Sequence, residues 1–278
     1  MITPTPVIRL EPIPTPQPPF EFISAPTLQP ESPTSTPTPI PTPTWVAQGP
    51  GAVDVPILLY HHIDVSQPGS QYYVSPDVFD EQLKLLSDWG CITITTDMLV
   101  KAISDGAQLP PCPFIITFDD GNLDNYTNAY PIMKKYGFIG VVYVVQNYID
   151  ADRYMTSEQI HELLAAGWEL GSHTMNHVNL VAARPEQRLY EIHKSKISLE
   201  QKFGVRVTTL AYPFGEYDCG VMDAAYSFGY IAAMGLGSSS TQCHFELYAL
   251  HRRVVRGGLA LDDFASLLPW QEQLSIMK

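Results

Sequence analysis

Short, continuous apolar segments alternate with helical segments along residues 51–278, and this alternation limits the fold more than any other feature of the chain. The segment Val55–Tyr60 is apolar throughout, as in a strand that is buried on both faces. Further strand-like segments are predicted at residues 91–94, 114–118, 138–145, 168–170, 208–212, 230–234 and 248–255. Strands that alternate with helices pair in parallel. About seven such units in one domain predict an α/β barrel rather than an open sheet.

The helices between these strands carry their own start signals. Ser75 is followed by Pro76, a cap residue and then a proline in the first turn, which predicts a helix that ends at Gly90. Further helices are predicted at residues 96–104, 156–167, 185–203 and 262–268. In barrels of this kind the active site lies at the carboxyl ends of the strands. Chemically useful residues that follow strands should therefore meet.

Residues 1–50 differ in composition from the rest, because they hold 15 of the 25 prolines and nine threonines. Such a segment favours polyproline II and builds no packed core, so we interpret it as a disordered linker before a single catalytic domain, residues 51–278. A plain disordered tail is the simpler alternative to a tether. Spacers rich in threonine and proline are common outside cells, which predicts an extracellular or envelope-associated protein. The first residues do not form a signal peptide, and no apolar run is long enough to span a membrane.

The charge of the chain excludes one class of partner. The formal net charge is −13, and all but two units of it lie in the domain. An acidic domain repels nucleic acid, so a neutral substrate, or one that becomes cationic on reaction, fits better.

Four cysteines allow three fully paired connectivities, and none shows the spacing of a thiolate metal site. Cys219 and Cys243 both lie near the C-terminal loops and could form a bridge in an oxidising compartment. Free buried thiols are the alternative.

Two motifs after predicted strands supply the side chains of a metal site. Asp119 and Asp120 end one strand, and His173 and His177 follow another. A hydrolytic zinc site needs about three protein ligands and an open position for water. Asp120, His173 and His177 meet that need if the residues between the histidines turn helically. Asp119, which should point the other way along the extended chain, is then free to act as general base.

Two further residues complete the predicted chemistry. His61, at the end of the first strand, is the candidate general acid, although a core histidine bonded to backbone fits the same position. Its neighbour His62 should point away and be structural. The backbone N–H of Phe214, after a Tyr-Pro turn, is the candidate donor to the oxyanion of the tetrahedral intermediate.

These motifs resemble those of the polysaccharide deacetylases, carbohydrate esterase family 4, over about residues 55–268. Thr117–Gly121 matches the family's Thr-Phe-Asp-Asp-Gly motif, in which the first Asp is the base and the second binds metal. His173–His177 matches its His-[Ser/Thr]-x-x-His metal motif. The resemblance implies a deformed (β/α)7 barrel. It also implies hydrolysis of N-acetyl groups, or less often O-acetyl groups, on an amino-sugar polymer.

The chain departs from the family pattern in two places. The third motif has Ala211 where the family has an arginine that orients the base, and Arg252 or Arg253 is the candidate replacement. The C-terminal Leu-x-His acid motif is absent, and Leu59–His61 supplies the same pattern in the first strand. That permuted order is similar to the deacetylases of poly-β-1,6-N-acetylglucosamine. Since the first and last strands of a closed barrel are neighbours, either could deliver the imidazole.

The sequence thus predicts a metal-dependent hydrolase that removes N-acetyl groups from an N-acetylglucosamine polymer, either the biofilm polymer or peptidoglycan. Chitin oligomers and O-acetylated xylan are alternative substrates. A non-catalytic carbohydrate-binding or adhesion module on the same barrel is the rival function. The expected ion is Zn²⁺, with Co²⁺ or Ni²⁺ as alternatives, because all suit a His₂Asp site. The expected partner is the acetylated polysaccharide, not nucleic acid, and the expected state is a monomer.

Overall fold

The structure is a computed structural model and describes residues 44–270. The predicted linker, residues 1–50, lies almost entirely outside the described residues. Its last part contributes one strand, Val46–Gln48, which pairs with Ala107–Leu109 of the domain. The described structure therefore includes a strand a few residues before the predicted boundary at residue 51.

Seven parallel strands form an almost closed barrel, which confirms the predicted fold class. In chain order they are β1 (Ile57–Tyr60), β2 (Pro113–Phe118), β3 (Val141–Val144), β4 (Glu169–Ser172), β5 (Thr209–Ala211), β6 (Ala232–Met234) and β7 (Arg252–Val254). Their order in the sheet is β6-β5-β4-β3-β2-β1-β7. The ring closes between β6 and β7, where the Leu250 N–H donates to the Ala233 carbonyl at 2.9 Å.

Among residues 44–270, seven α-helices cover the outside of this ring. They are α1 (Pro76–Asp88), α2 (Thr96–Asp105), α3 (Tyr130–Lys135), α4 (Ser157–Ala165), α5 (Pro185–Phe203), α6 (Cys219–Ser227) and α7 (Leu261–Ser266). The predicted Ser75 cap is present, since its side chain accepts from the Val78 N–H. Thr156, at the start of another predicted helix, forms a capping box with Gln159. The sequence patterns missed α3 and α6, which are short and start without a clear apolar period.

The strand predicted at residues 91–94 is present as Ile92–Thr93. It pairs in parallel with the first residues of β2, outside the order of the seven barrel strands. Two more pairs of short strands flank the barrel: Ala52–Asp54 with Thr241–Cys243, and His62–Ile63 with Tyr73–Val74.

Alternate residues of the barrel strands pack into two separate apolar clusters. Ile57, Ile115 and Val141 belong to the inner cluster. Leu58 and Ile116 belong to the outer cluster, which packs beneath the helices. Both faces of each strand are therefore buried, which explains the continuous apolar segments in the sequence.

The cysteine pairing differs from the prediction. The disulfide joins Cys91 to Cys112, while Cys219 and Cys243 are free and at least partly accessible. Cys219 begins α6 after the carboxyl end of β5, whereas Cys243 pairs with Ala52 before the amino end of β1. These two residues lie towards opposite ends of the barrel, so the Cys219–Cys243 bridge is wrong. The alternative of free thiols is confirmed, but neither thiol is buried.

Within residues 44–270, no helix has the length and hydrophobicity required to cross a bilayer.

Candidate active site

The residues singled out in the sequence gather at one end of the barrel. Each follows the carboxyl end of a strand, and together they line one cavity of about 400 Å³. The lining includes all six predicted site residues: His61, Asp119, Asp120, His173, His177 and Phe214. This convergence is what the parallel barrel requires, because the carboxyl ends of its strands all open onto the same face.

Three of these side chains form a compact set of candidate metal ligands. An Asp120 carboxylate oxygen lies 3.6 Å from His173 Nε2 and 3.4 Å from His177 Nε2. One ligand atom from each residue lies within 4.8 Å of the other two. Two imidazole nitrogens and one carboxylate suit zinc and its first-row neighbours, so the donor set fits the predicted ion.

The loop between the two histidines is not helical, which corrects the expected backbone. Thr174 and His177 adopt left-handed conformations, with φ of 69° and 57°. The His177 N–H donates to Thr174 Oγ1 at 3.0 Å. A tight turn, rather than a turn of helix, therefore aims both imidazoles at Asp120.

Glu191 of α5 anchors this turn and was missed in the sequence. Its buried carboxylate accepts from the backbone N–H groups of Met175 and Asn176, both at 2.9 Å. A signal existed, because Glu191 occupies the same helical stripe as the buried Ser195 and Leu199. A buried carboxylate needs hydrogen-bond partners, and here those partners are backbone amides of the turn between His173 and His177.

The orientation of His173 is set from behind. Its Nδ1 lies 2.8 Å from the Ala211 carbonyl oxygen, and the ring is only 2% exposed. Because a carbonyl can only accept, Nδ1 carries the hydrogen. Nε2, which faces Asp120, therefore keeps a free lone pair with which it can bind a metal ion. Metal-binding histidines are commonly oriented by such a contact.

Asp119 is held by Arg252, which identifies the replacement for the arginine missing at position 211. The guanidinium donates two hydrogen bonds to the two carboxylate oxygens, at 2.6 and 2.8 Å. The next residue, Arg253, does not make this contact. The expectation that Asp119 points away from Asp120 is wrong: carboxylate oxygens of the two residues lie 3.8 and 3.6 Å from His173 Nε2, and Asp120 has a left-handed backbone, φ 72°.

The barrel interior supports Arg252. Its Nε donates to the Gly235 carbonyl at 3.2 Å, and its guanidinium lies 5.5 Å from the centre of the Tyr143 ring. That ring needs the glycine at position 171, since a Cβ there would lie 2.2 Å from it. The side chain is thus fully enclosed before it reaches Asp119.

This pairing keeps Asp119 ionised. Burial acts to raise the pKa of the carboxyl group, but the charge and hydrogen bonds of Arg252 outweigh it and lower the pKa to about 2. The carboxylate is therefore charged at neutral pH and able to accept a proton.

His61 lines the same cavity from β1. Its backbone carbonyl accepts from Asn125 Nδ2 at 2.8 Å, and its ring packs against Tyr72 with centres 4.9 Å apart. Burial lowers the pKa of the imidazole, while the charges of Asp119 and Asp120 act in the opposite direction. The asparagine contact fixes the backbone from which the ring projects.

Phe214 and His62 form the remaining walls. Phe214 has a left-handed backbone, φ 62°, and its ring lies 4.8 Å from the His177 ring between centres. His62 Nδ1 lies 2.6 Å from an Asp124 carboxylate oxygen, and its ring stacks on Tyr73. The expected structural role of His62 agrees with this closed pair.

Comparison with known proteins agrees with this geometry. A sequence model of the polysaccharide deacetylase family matches residues 108–233, which contain both metal motifs. A Bacillus subtilis (strain 168) protein named as a polysaccharide deacetylase, YxkH, is 30% identical over 214 residues, covering 77% of this chain and 76% of the relative. Poly-beta-1,6-N-acetyl-D-glucosamine N-deacetylase of Staphylococcus aureus (strain MSSA476) is 26% identical over 158 residues, 52% of this chain. The match spans about half (54%) of that relative.

Among solved structures, the Streptococcus pyogenes deacetylase PplD in complex with acetate superposes with a TM-score of 0.72. The match has 26% sequence identity and covers 82% of this chain and 99% of that one. The two proteins therefore share the same barrel fold over most of this chain and nearly all of the S. pyogenes chain.

Proposed function

The chain belongs to the polysaccharide deacetylase family, and from that premise we propose that it is a metal-dependent enzyme that removes N-acetyl groups from an N-acetylglucosamine polysaccharide. The observation that carries the proposal is the convergence of Asp120, His173 and His177 beside a buried, ionised Asp119. Asp119 is the most informative of these residues, because a module that only binds sugar has no need of a separate buried carboxylate in its site.

In the proposed site, Asp120, His173 and His177 would hold a divalent ion, Zn²⁺ in the first instance. When bound, such an ion lowers the pKa of a water molecule and polarises an acyl oxygen. The ring of His173 keeps its Nε2 available through the contact with Ala211.

The protein residues divide the remaining work. Asp119 accepts the proton of the water that attacks the amide carbon, and Arg252 holds its carboxylate in place. His61 donates a proton to the leaving amine. The Phe214 N–H donates to the developing oxyanion.

The substrate in this proposal is biofilm-type poly-N-acetylglucosamine or the glycan of peptidoglycan. The similarity to the S. aureus enzyme supports an amino-sugar polymer. The threonine and proline content of residues 1–50 supports an extracellular or envelope location, where such polymers lie.

Acetate release tests the proposal directly. We expect the purified protein to release acetate from N-acetylglucosamine oligomers, to stop after chelation, and to recover on addition of Zn²⁺, Co²⁺ or Ni²⁺. O-acetylated xylan, run in parallel, separates amide from ester hydrolysis. Absence of release at every metal loading, with binding of the oligomers retained, would instead support the non-catalytic carbohydrate-binding module.

Replacing His61 with alanine should lower kcat by roughly 10²–10⁴-fold, the usual contribution of a positioned acid. Metal content should remain that of the wild type, because His61 is not among the three ligands. His161→Ala, on the outer helix α4, is the matched control and should keep full activity. An unchanged rate in His61→Ala would remove the imidazole of β1 from the mechanism.

A further inference from the structure

One positively charged side chain that lines the active-site cavity, Arg256, has no role in the proposed mechanism. Besides the imidazoles, the charged groups that line the cavity are Asp119, Asp120, Arg252 and Arg256. Asp119 is neutralised by Arg252, and Asp120 faces the two histidines. Arg256 is exposed, and no carboxylate of the described residues lies within salt-bridge distance of it.

The backbone that carries Arg256 is firmly anchored. Val255 donates to the Leu59 carbonyl at 2.9 Å, and Gly257 donates to the Gln71 carbonyl at 3.0 Å. A Cβ at Gly257 would lie 2.1 Å from the Tyr73 carbonyl oxygen, so the two segments are in close contact. Arg256 therefore extends from a well-anchored backbone and lines the cavity together with the exposed Tyr72.

We propose that Arg256 binds an anionic group of the polysaccharide, a carboxylate or a phosphate, on the sugar unit next to the N-acetyl group that is hydrolysed. This inference rests on the proposed function and narrows its substrate to an anion-bearing amino-sugar polymer, rather than neutral poly-N-acetylglucosamine. The planar fork of an arginine matches either oxyanion with two parallel hydrogen bonds. An uncharged polymer would leave that fork to solvent.

The overall charge limits how dense the anions can be. The chain carries 16 basic and 29 acidic residues, so its long-range field repels a polyanion. A single cation at the rim suits a polymer with one anionic group per repeat, recognised at contact distance. The preference should therefore persist at moderate salt, since a contact pair is screened less than the long-range field.

Matched oligomers test this inference. The test uses three N-acetylglucosamine oligomers, which bear a carboxylate, its amide or a phosphate on the neighbouring sugar. Acetate release is measured for each. We expect the wild type to favour an anionic oligomer over the amide by about tenfold in kcat/KM, mainly through KM, the size of one charge-assisted hydrogen bond. The preference should collapse in Arg256→Gln and partly return in Arg256→Lys. The anionic oligomer that the wild type prefers over the amide shows whether the recognised group is a carboxylate or a phosphate.

Arg206→Gln is the matched control, because Arg206 is also exposed but does not line this cavity. It should keep the wild-type preference. Equal kcat/KM for all three oligomers, or a preference that survives in Arg256→Gln, would overturn the inference while leaving the deacetylase proposal intact. Calorimetric binding of the same oligomers to chelator-treated protein gives the same comparison without turnover. It therefore tests Arg256 even if no acetate is released and the proposed function fails.

Discussion

Replacement of Asp119 by asparagine is expected to abolish acetate release while leaving the metal content unchanged. Asparagine has nearly the same shape as aspartate, but its amide cannot accept the proton of the attacking water. The expected loss in kcat is about 10⁴-fold, the upper end for a general base. Elemental analysis of the purified variant measures the metal, and acetate release measures turnover.

The metal measurement decides between two roles. Asp119 Oδ2 lies 3.8 Å from His173 Nε2, so this carboxylate is close to the ligand cluster without belonging to it. Loss of metal in Asp119→Asn would show that both aspartates are ligands and that the proposed division between them is wrong. Asp120→Asn is the matched comparison, because it should weaken metal binding first.

Replacement of Arg252 by methionine should cost about 3–5 kcal/mol in the free energy of unfolding, as well as most of the activity. Arg252 is 1% exposed and Asp119 is 3% exposed, so the variant leaves a buried carboxylate without its partner. Urea denaturation followed by circular dichroism measures the change. Arg253→Met is the matched control, since that neighbouring side chain does not contact Asp119, and its stability should change little.

A double variant separates pairing from packing. In Asp119→Asn/Arg252→Met neither charge remains, so the loss of stability should be clearly smaller than the sum of the two single losses. Additive losses would mean that the buried ion pair contributes no coupling. Arg252→Lys should recover the charge but only part of the stability, because lysine lacks the two-pronged donor geometry.

The chemical core of the site could be predicted because each residue lies directly after a strand. In a parallel barrel the carboxyl ends share one face, so the position of Asp119, Asp120 and His173 along the chain already implies their proximity. The continuous apolar strands and the Ser75 and Thr156 caps likewise report local requirements that the chain meets within a few residues.

Other features depend on contacts between distant segments. The sequence offered Arg252 and Arg253 equally, and only the inward direction of one side chain in β7 selects Arg252. The turn between His173 and His177 depends on Glu191, a residue on a helix that follows it. The disulfide joins Cys91 to Cys112 because Ile92 pairs with the start of β2.

The sequence alone determined the barrel, the face that carries the candidate site and the residue types of the candidate metal site, because these follow from strand periodicity and from the order of residues along the chain. Only the tertiary structure decided which arginine holds Asp119, how the two histidines turn towards Asp120, and that Arg256 lines the cavity without a described acidic partner. Those outcomes depend on side-chain direction and on the packing of segments far apart in sequence, and no local pattern encodes either.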